Sequence, residues 1–399
     1  MRILIASAAP PAPSGKGYQV RLFNQIIRLA ERHHVFLATF ARREEVIEPA
    51  VMRACVSVDA IRRTALSCSV RAVAGALRLP LSVAWNHDAR MAASIAASAR
   101  TRDLDVIVIQ LVRMATYIDS AGDVPVVLDL LDAAGLSMME RAALSPFGMR
   151  AILELEARRL GRFERSAVDR AGLSLLISER DRAYVGADAK TRVNPNGIDP
   201  FESPPNNATR EPSTVVFSGT MSYPPNADAA LWLVTSIVPL VRRHAPDIKL
   251  RIVGRDPSAT LRREAAARDV IVTGTVKSIS DELARASLAV CPLRRGSGLQ
   301  TKVLEAMATG TPVIATSKAV QGLAQPLAAQ VVVADGADAF AQAVVTALRD
   351  PTRARANAGR ALVEIAASHT WRHSVDELER YCAEAAGHRS RGATGVTRL

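Results

Sequence analysis

The residues best suited to chemistry lie around a pair of glycines in the second half of the chain. Gly296 and Gly298 follow an apolar run and precede a helix predicted over 300–309. Glycine lets a backbone approach a ligand closely, and the first N–H groups of a helix have no partner within it. Lys302 and Glu305 lie three residues apart and therefore share one side of this helix. This combination suits an anionic ligand that carries hydroxyl groups, such as a nucleotide diphosphate.

Other carboxylates admit two interpretations each. Asp129 and Asp132 end an apolar run that predicts a buried strand, and side chains at the carboxyl end of such a strand often face a ligand cleft. Asp132 could instead cap the next helix. Glu305 could simply pair with Lys302, which would contribute only ~0.5 kcal/mol. For Glu305 we favour a functional role because it follows the glycine loop.

A second glycine loop lies near the start of the chain, between a predicted strand and a predicted helix. It contains Gly15, Lys16 and Gly17. A phosphate-binding P-loop requires glycine where Pro10 stands, and the dinucleotide pattern requires glycine where Val20 stands. The sequence therefore favours either a helix-entry loop that touches a ligand or a plain turn.

Apolar strands alternate with amphipathic helices along most of the chain. This order predicts two doubly wound α/β domains that bind ligands at the carboxyl ends of their strands. We expect a first domain over 1–199 and a second over 200–370, with a proline-rich linker at 202–213. Strands are predicted at 2–7, 34–40, 56–61, 105–110, 124–129, 173–178, 214–219, 248–254, 270–273, 287–292, 312–316 and 330–334.

The end of the chain differs from what precedes it. A last helix is predicted over 371–385, with Trp371 anchoring it. Residues 386–399 are rich in Gly, Arg and Thr, and we expect them to be disordered.

Composition limits the classes of function. The net charge of +12 fits either a solvated arginine-rich surface or attraction to an anionic membrane or lipid diphosphate. Nucleic acid is not an expected partner, since aromatic residues make up only 4% and the charge is spread along the chain. No apolar run reaches the roughly 18 residues of a spanning helix. The four cysteines show no metal-ligand spacing, so we expect no metal site and a reduced, cytoplasmic setting.

Several motifs resemble those of the retaining glycosyltransferases of family four, which have the two-domain GT-B fold. They are Phe217-Ser-Gly-Thr-Met221, Asn194-Pro-Asn-Gly-Ile-Asp199 and the stretch from Gly296 through Glu305 to Val313. The resemblance covers about residues 1–385, and members linked to exopolysaccharide clusters are similar also in Val-Leu-Asp-Leu-Leu-Asp132.

The resemblance implies a donor site for a nucleotide-diphosphate sugar, used as a substrate with no separate cofactor. Glu305 would hold the ribose hydroxyls, and Lys302 with Arg294 or Arg295 would neutralise the leaving phosphate. Closure of two domains facing a cleft would exclude water, and the last helix would cross back onto the first domain. The remaining donor contacts would come from Gly296, Ser297, Gly298, Leu299, Gln300, Thr301 and Gly219, with Gly15, Lys16 and Gly17 approaching the phosphates.

This sequence departs from the family pattern at three places. Ser297 stands where the family has the first Glu of Glu-x7-Glu, and Thr220-Met-Ser-Tyr-Pro-Pro225 replaces its usual Arg and Lys. Leu131 or Asp132 takes the place of its histidine, which makes Asp132 a catalytic candidate together with Lys302 and Arg294. The acceptor implied is a hydroxyl of a glycan, a lipid-linked sugar or a small molecule, at the inner face of the cell membrane.

Two other functions remain open. The chain could be a catalytically degenerate GT-B protein that only binds a nucleotide sugar or a partner. It could also be another GT-B enzyme, such as an epimerase or a phosphorylase, although no further catalytic acid or cofactor lysine is visible.

Overall fold

The structure is a computed structural model that describes residues 1–143, 145–200, 210–296 and 298–393, with side chains described as far as Gly387. It divides into two compact units: residues 1–197 with the chain from Trp371 onward, and Ile198–Thr370. The predicted linker at 202–213 falls largely outside the described residues. Its end does not belong to a linker, because the first strand of the second unit begins at Glu211.

The first unit is built on a parallel sheet whose strands order as β3-β2-β1-β4-β5-β6-β7 within the described residues. Most of these strands are near-continuous apolar runs, because both faces of the sheet are covered by helices. The strands are β1 (Arg2–Ser7), β2 (His34–Arg42), β3 (Ser57–Arg63), β4 (Val106–Gln110), β5 (Val126–Leu131), β6 (Leu173–Leu176) and β7 (Thr191–Val193).

Helices cover the sheet of the first unit, and a 3-10 segment, Val112–Ala121, follows β4. Thr64 caps the third helix through a reciprocal bond with Ser67. The helices are α1 (Gly17–Leu29), α2 (Pro49–Ala54), α3 (Ala65–Gly75), α4 (Leu81–Asn86), α5 (Ala89–Thr101), α6 (Ala134–Ala143), α7 (Phe147–Arg170) and α8 (Glu179–Val185).

The second unit repeats the architecture with a parallel sheet ordered β10-β9-β8-β11-β12-β13. Its strands are β8 (Glu211–Ser218), β9 (Lys249–Val253), β10 (Ile271–Gly274), β11 (Ala286–Cys291), β12 (Val313–Ala315) and β13 (Val332–Val333). Its helices are α9 (Pro224–Trp232), continued by a π segment, Leu233–Ile237, α10 (Val238–Arg242), α11 (Ala259–Ala266), α12 (Ile279–Arg285), α13 (Thr301–Ala308), α14 (Ser317–Val320), α15 (Gln325–Ala328), α16 (Ala337–Arg349) and α17 (Pro351–Ser368).

The last helix, α18 (Trp371–Ala393), packs on the first unit. Val375, Leu378 and Cys382 are fully buried and join Ile3 and Leu22 in one core. The helix continues beyond Ala385, so the prediction of disorder from residue 386 is wrong as far as 393. Residues 394–399 of the predicted tail lie outside the described residues. The prediction of two doubly wound α/β domains is confirmed.

Candidate functional site

Helix α13 carries the predicted site residues, and its packing explains which of them reach the surface. Val303, Leu304 and Met307 are buried in the core of the second unit, which turns Thr301 outward and leaves Lys302 and Glu305 half-buried. The amide groups of its first turn have no partner within the helix. The helix thus presents a cation, a carboxylate and N–H groups on one side, as its spacing predicts.

The loop before α13 uses glycine where the backbone requires it. Gly296 has φ +118° and Gly298 has φ +71°, a region that side chains other than glycine rarely adopt. The carbonyl oxygen of Gly298 also lies against Gly322, where an added Cβ would come within 2.8 Å of it. Ser297 lies outside the described residues, so its predicted role stays a prediction. Leu299 is half-buried and packs against the core of the second unit.

Gly219, at the end of β8, meets α13 at the carboxyl edge of the sheet. Its φ is +153°, and an added Cβ would lie 2.7 Å from Nδ2 of Asn226 and 3.4 Å from Cε of Lys302. A Cβ on the neighbouring Gly254 would lie only 1.8 Å from the Gly219 carbonyl oxygen. The structure therefore brings two predicted donor-site residues, Gly219 and Lys302, together at a point where no side chain fits.

Asn226 is a residue of this site that the sequence analysis did not single out as functional. Its side chain is 5% exposed, and its Nδ2 donates to the Thr220 carbonyl over 3.0 Å. Among the described residues, nothing donates to its buried Oδ1. A buried, unsatisfied acceptor costs free energy, and here it lies beside Gly219 and Lys302.

Lys302 and Glu305 do not form the surface pair that was the alternative explanation for Glu305. Nζ of Lys302 lies 3.3 Å from Oε1 of Gln300, and no ion pair to Glu305 is found among the described residues. Burial raises the pKa of the Glu305 carboxyl, and the nearby Lys302 charge partly offsets this. The carboxylate is therefore held at a desolvation cost that a surface pair does not explain.

Arg294 is committed to another partner. Its guanidinium donates to both carboxylate oxygens of Asp228, over 2.7 and 3.1 Å, and lies 5.0 Å from the ring centre of Trp232. Arg295 lies 4.0 Å from the same carboxylate. The structure thus places Lys302 against Gly219, whereas Asp228 already neutralises the Arg294 charge.

A cavity of about 470 Å³ opens at the carboxyl ends of β11, β12 and β13. The residues that line it include Trp232, Arg294, Lys318, Asp335 and Gly336. The cavity continues the edge of the sheet on which Gly219 and α13 lie. This edge is where doubly wound sheets bind their ligands.

In the first unit, Asp129 turns out to be structural. It is fully buried and accepts bonds from Nε and Nη2 of Arg21, at 2.8 and 3.1 Å, and from Gln25 at 2.9 Å. Arg21 also donates to Oδ1 of Asn196 over 3.1 Å. The expectation that the Asp129 carboxylate faces a ligand is therefore wrong, because a buried arginine occupies it.

Asp132 does not cap the helix that follows it. Its Oδ2 accepts from the Ser137 hydroxyl over 2.9 Å, whereas the first N–H groups of α6 donate to the Glu164 carboxylate. Burial raises the pKa of Asp132, and the neighbouring Asp181 adds to this shift. The capping interpretation is wrong because a carboxylate from α7 takes that place. The catalytic role of Asp132 stays a prediction.

The first glycine loop is exposed. Lys16 precedes α1 without a capping bond from its side chain, and Gly15 has φ +132°. A Cβ on Gly17 would meet nothing within 4 Å, so crowding does not explain this second glycine. The assignment of Gly15, Lys16 and Gly17 to donor phosphates stays a prediction.

Within the described part of the chain, no cluster of His, Cys, Asp or Glu could hold a metal ion. No helix there is both long and apolar enough to cross a membrane.

Part of the chain matches a known family and a curated protein. Residues 212–350 match the family described as glycosyl transferases group 1. A Klebsiella pneumoniae protein, named as an uncharacterized 44.6 kDa protein in the cps region, is 28% identical over 139 residues, or 33% of this chain. The aligned part spans 36% of the length of that curated relative.

Solved structures share the fold over nearly the whole chain. HepE from Anabaena, in complex with UDP, is 14% identical with a TM-score of 0.67, covering 96% of this chain and 100% of that one. Sucrose-phosphate synthase from Thermosynechococcus elongatus is 17% identical with a TM-score of 0.69, covering 96% and 99%. WaaG, a glycosyltransferase involved in lipopolysaccharide biosynthesis, is 17% identical with a TM-score of 0.64, covering 96% and 100%. These structures show that the fold is GT-B.

Proposed function

We propose that the protein is a retaining glycosyltransferase that moves a sugar from a nucleotide-diphosphate sugar to a hydroxyl group of an acceptor. The observation that carries the proposal is the meeting of Gly219, Asn226 and Lys302 at the edge of the sheet, beside Glu305. Gly219 lets the backbone approach a ligand closely, Asn226 offers a buried acceptor that lacks a donor, and Lys302 supplies a cation. A nucleotide diphosphate offers complementary groups to all three.

In the proposed reaction, the bond between the anomeric carbon and the diphosphate oxygen breaks, and its electron pair leaves with the diphosphate. The anomeric carbon bonds to the acceptor oxygen, whose proton passes to the departing diphosphate oxygen. Lys302 would neutralise the charge that develops on the diphosphate, and such preorganised charge is often the largest catalytic term. Glu305 would accept hydrogen bonds from the ribose hydroxyls, and the N–H groups at Gly298 to Thr301 would meet the phosphates.

The names of the relatives support a choice of donor and acceptor to test. HepE is described in complexes with UDP and with UDP-glucose, so a UDP-sugar is the first donor to test. The Klebsiella relative is assigned to a cps region, which supports an acceptor on the way to an exopolysaccharide. The proposed acceptor is a hydroxyl group of a glycan, of a lipid-linked sugar or of a small molecule. The proposed place of the reaction is the cytoplasmic face of the membrane.

The proposal is tested by donor binding and by turnover. A UDP-sugar should raise the melting temperature of the chain, because it binds the folded state only. Lys302→Met should lower kcat by about a hundredfold or more. Glu305→Gln should weaken donor binding about tenfold or more, as expected for lost hydrogen bonds to a charged group.

Lys249→Met is the matched control. Lys249 is exposed at the first residue of β9, which is the opposite edge of the sheet. This variant should keep both donor binding and turnover. Equal losses in Lys249→Met and Lys302→Met, or turnover unchanged in Lys302→Met, would refute the site.

A catalytically degenerate binder is the second candidate. The observation that favours it is the set of replaced family residues, with Ser297 in place of Glu and Thr220 to Pro225 in place of the basic pair. Donor binding without hydrolysis or transfer by the purified chain would decide for the binder. Release of UDP that depends on the donor sugar would exclude it.

A further inference from the structure

Helix α3 in the first unit turns an apolar stripe toward solvent. Leu66, Val70, Val73 and Leu77 are 76%, 61%, 78% and 97% exposed. Their spacing places them on one side of the helix and its last turn, whereas Cys68 on the other side is 2% exposed. Helices at the surface of a soluble protein bury their apolar side. This helix does the reverse.

The neighbouring helix α4 extends the same surface. It packs closely on α3, since a Cβ on Gly75 would lie 2.9 Å from Cβ of Ala84. Leu81 and Trp85 of α4 are exposed by 46% and 37%. An exposed tryptophan is the side chain that most favours the boundary between water and lipid.

Helix α7 adds a third part to this surface. Arg159 donates to the Leu79 carbonyl over 2.8 Å, and Glu156 accepts from the backbone N–H of Leu81. Ile152 and Leu155 lie on the side of α7 that carries these two contacts, and they are 59% and 62% exposed. We call the combined surface the apolar face, with Leu66, Val70, Val73, Leu77, Ile152 and Leu155 as its centre.

The charge around the apolar face is positive. Residues 64–87 contain Arg71 and Arg78 and no Asp or Glu, and Arg158 is exposed near Leu155 on α7. The acidic residues at the border are paired with arginines: Asp88 with Arg71, Glu154 with Arg150 and Glu156 with Arg159. Arg78 is exposed next to Leu77. An apolar helix side flanked by cations is typical of segments that lie in the surface of an anionic membrane, where each basic residue contributes attraction to the lipid headgroups.

We propose that the apolar face docks the first unit on an anionic membrane surface, with α3 lying in the plane of the headgroups. Contiguous exposed apolar side chains indicate a partner, and the local excess of arginine over acidic residues selects an anionic bilayer. This inference is independent of the donor site, because all of its residues lie in the first unit.

The test is co-sedimentation of the full chain with vesicles. The chain should bind vesicles of phosphatidylglycerol and phosphatidylcholine more tightly than vesicles of phosphatidylcholine alone, and salt should weaken this binding. The double variant Val70→Ser/Val73→Ser should lower the partition coefficient about tenfold, because it removes apolar groups that enter the lipid. Arg78→Gln should lower it about fivefold.

Val363→Ser is the matched control, since Val363 is 70% exposed on α17 in the second unit. It should leave vesicle binding unchanged. All variants should keep their melting temperature and their response to a UDP-sugar, so that a failed donor site and a failed membrane site are distinguished.

Three outcomes would overturn the proposal. One is a chain that binds neither kind of vesicle. Another is a loss in Val363→Ser that equals the loss in Val70→Ser/Val73→Ser. The third is self-association that this double variant abolishes while vesicles do not bind, which would assign the apolar face to a second copy of the chain.

Discussion

The Glu164 carboxyl predicts a specific dependence of stability on pH. Its side chain is fully buried on α7 and accepts from the N–H groups of Ala134 and Gly135, over 2.9 and 3.3 Å. Burial raises its pKa from 4.5 to about 7, and the nearby Asp132 and Asp181 add to the shift against the effect of the two hydrogen bonds. At neutral pH, ionisation of Glu164 therefore costs free energy in the folded chain.

The sign and size of the effect follow from proton linkage. Between pH 4.5 and about 7 the folded state keeps a proton on Glu164 that the unfolded state has released. Stability from this group is therefore fully present below pH 4.5 and is lost as the pH rises through about 7. A difference of this size corresponds to about 3 kcal/mol in the free energy of unfolding.

The perturbation is Glu164→Gln, which keeps the shape and removes the charge. The chain is unfolded in urea at pH 5 and at pH 8, and hydrogen exchange of the amides in α7 monitors the unfolding. This measurement gives the free energy of unfolding of the first unit by itself. The wild type should lose up to about 3 kcal/mol more than the variant between these pH values. Glu179→Gln, at a residue exposed on α8, should behave as the wild type. Equal losses in wild type and Glu164→Gln would refute the reasoning.

Further predictions concern the buried pair, a crowded glycine and the thiols. Arg21→Met should cost about 3–5 kcal/mol in the free energy of unfolding because it leaves Asp129 charged and buried, and Arg21→Met/Asp129→Leu should recover part of this in the same urea titration. Gly254→Ala should prevent accumulation of folded chain, as measured by circular dichroism, because its Cβ would overlap the Gly219 carbonyl at 1.8 Å. The buried thiols, with pKa raised to about 12 in Cys382, should resist iodoacetamide at pH 8 until the chain unfolds, and fast native alkylation would contradict this.

Much of the fold could be predicted because strands and helices leave local patterns. The apolar run at 105–110 predicted β4, observed as Val106–Gln110, and the spacing after the glycine loop predicted a helix over 300–309, observed as Thr301–Ala308. Short elements escaped prediction. Strand β7 has three residues, and its place in the sheet depends on pairing with β6 rather than on an apolar run of its own.

The chemistry of individual polar residues was harder to predict. Asp129 and Asp132 end the same strand, yet one is held by Arg21 and the other by Ser137. Residues 108 positions apart make the first contact, and no local spacing encodes it. For the same reason, the sequence did not predict that Glu164 caps α6 or that Asn226 lies beside Gly219.

The sequence by itself determined the two α/β domains and the side of α13 that carries Lys302 and Glu305, because both follow from periods of a few residues. Only the tertiary structure decided which charges remain available. It assigned Arg294 to Asp228 and brought Lys302 against Gly219, and it turned the apolar side of α3 outward. These outcomes depend on which surfaces meet when the chain packs, and burial, rather than residue type, then sets the cost of each charge.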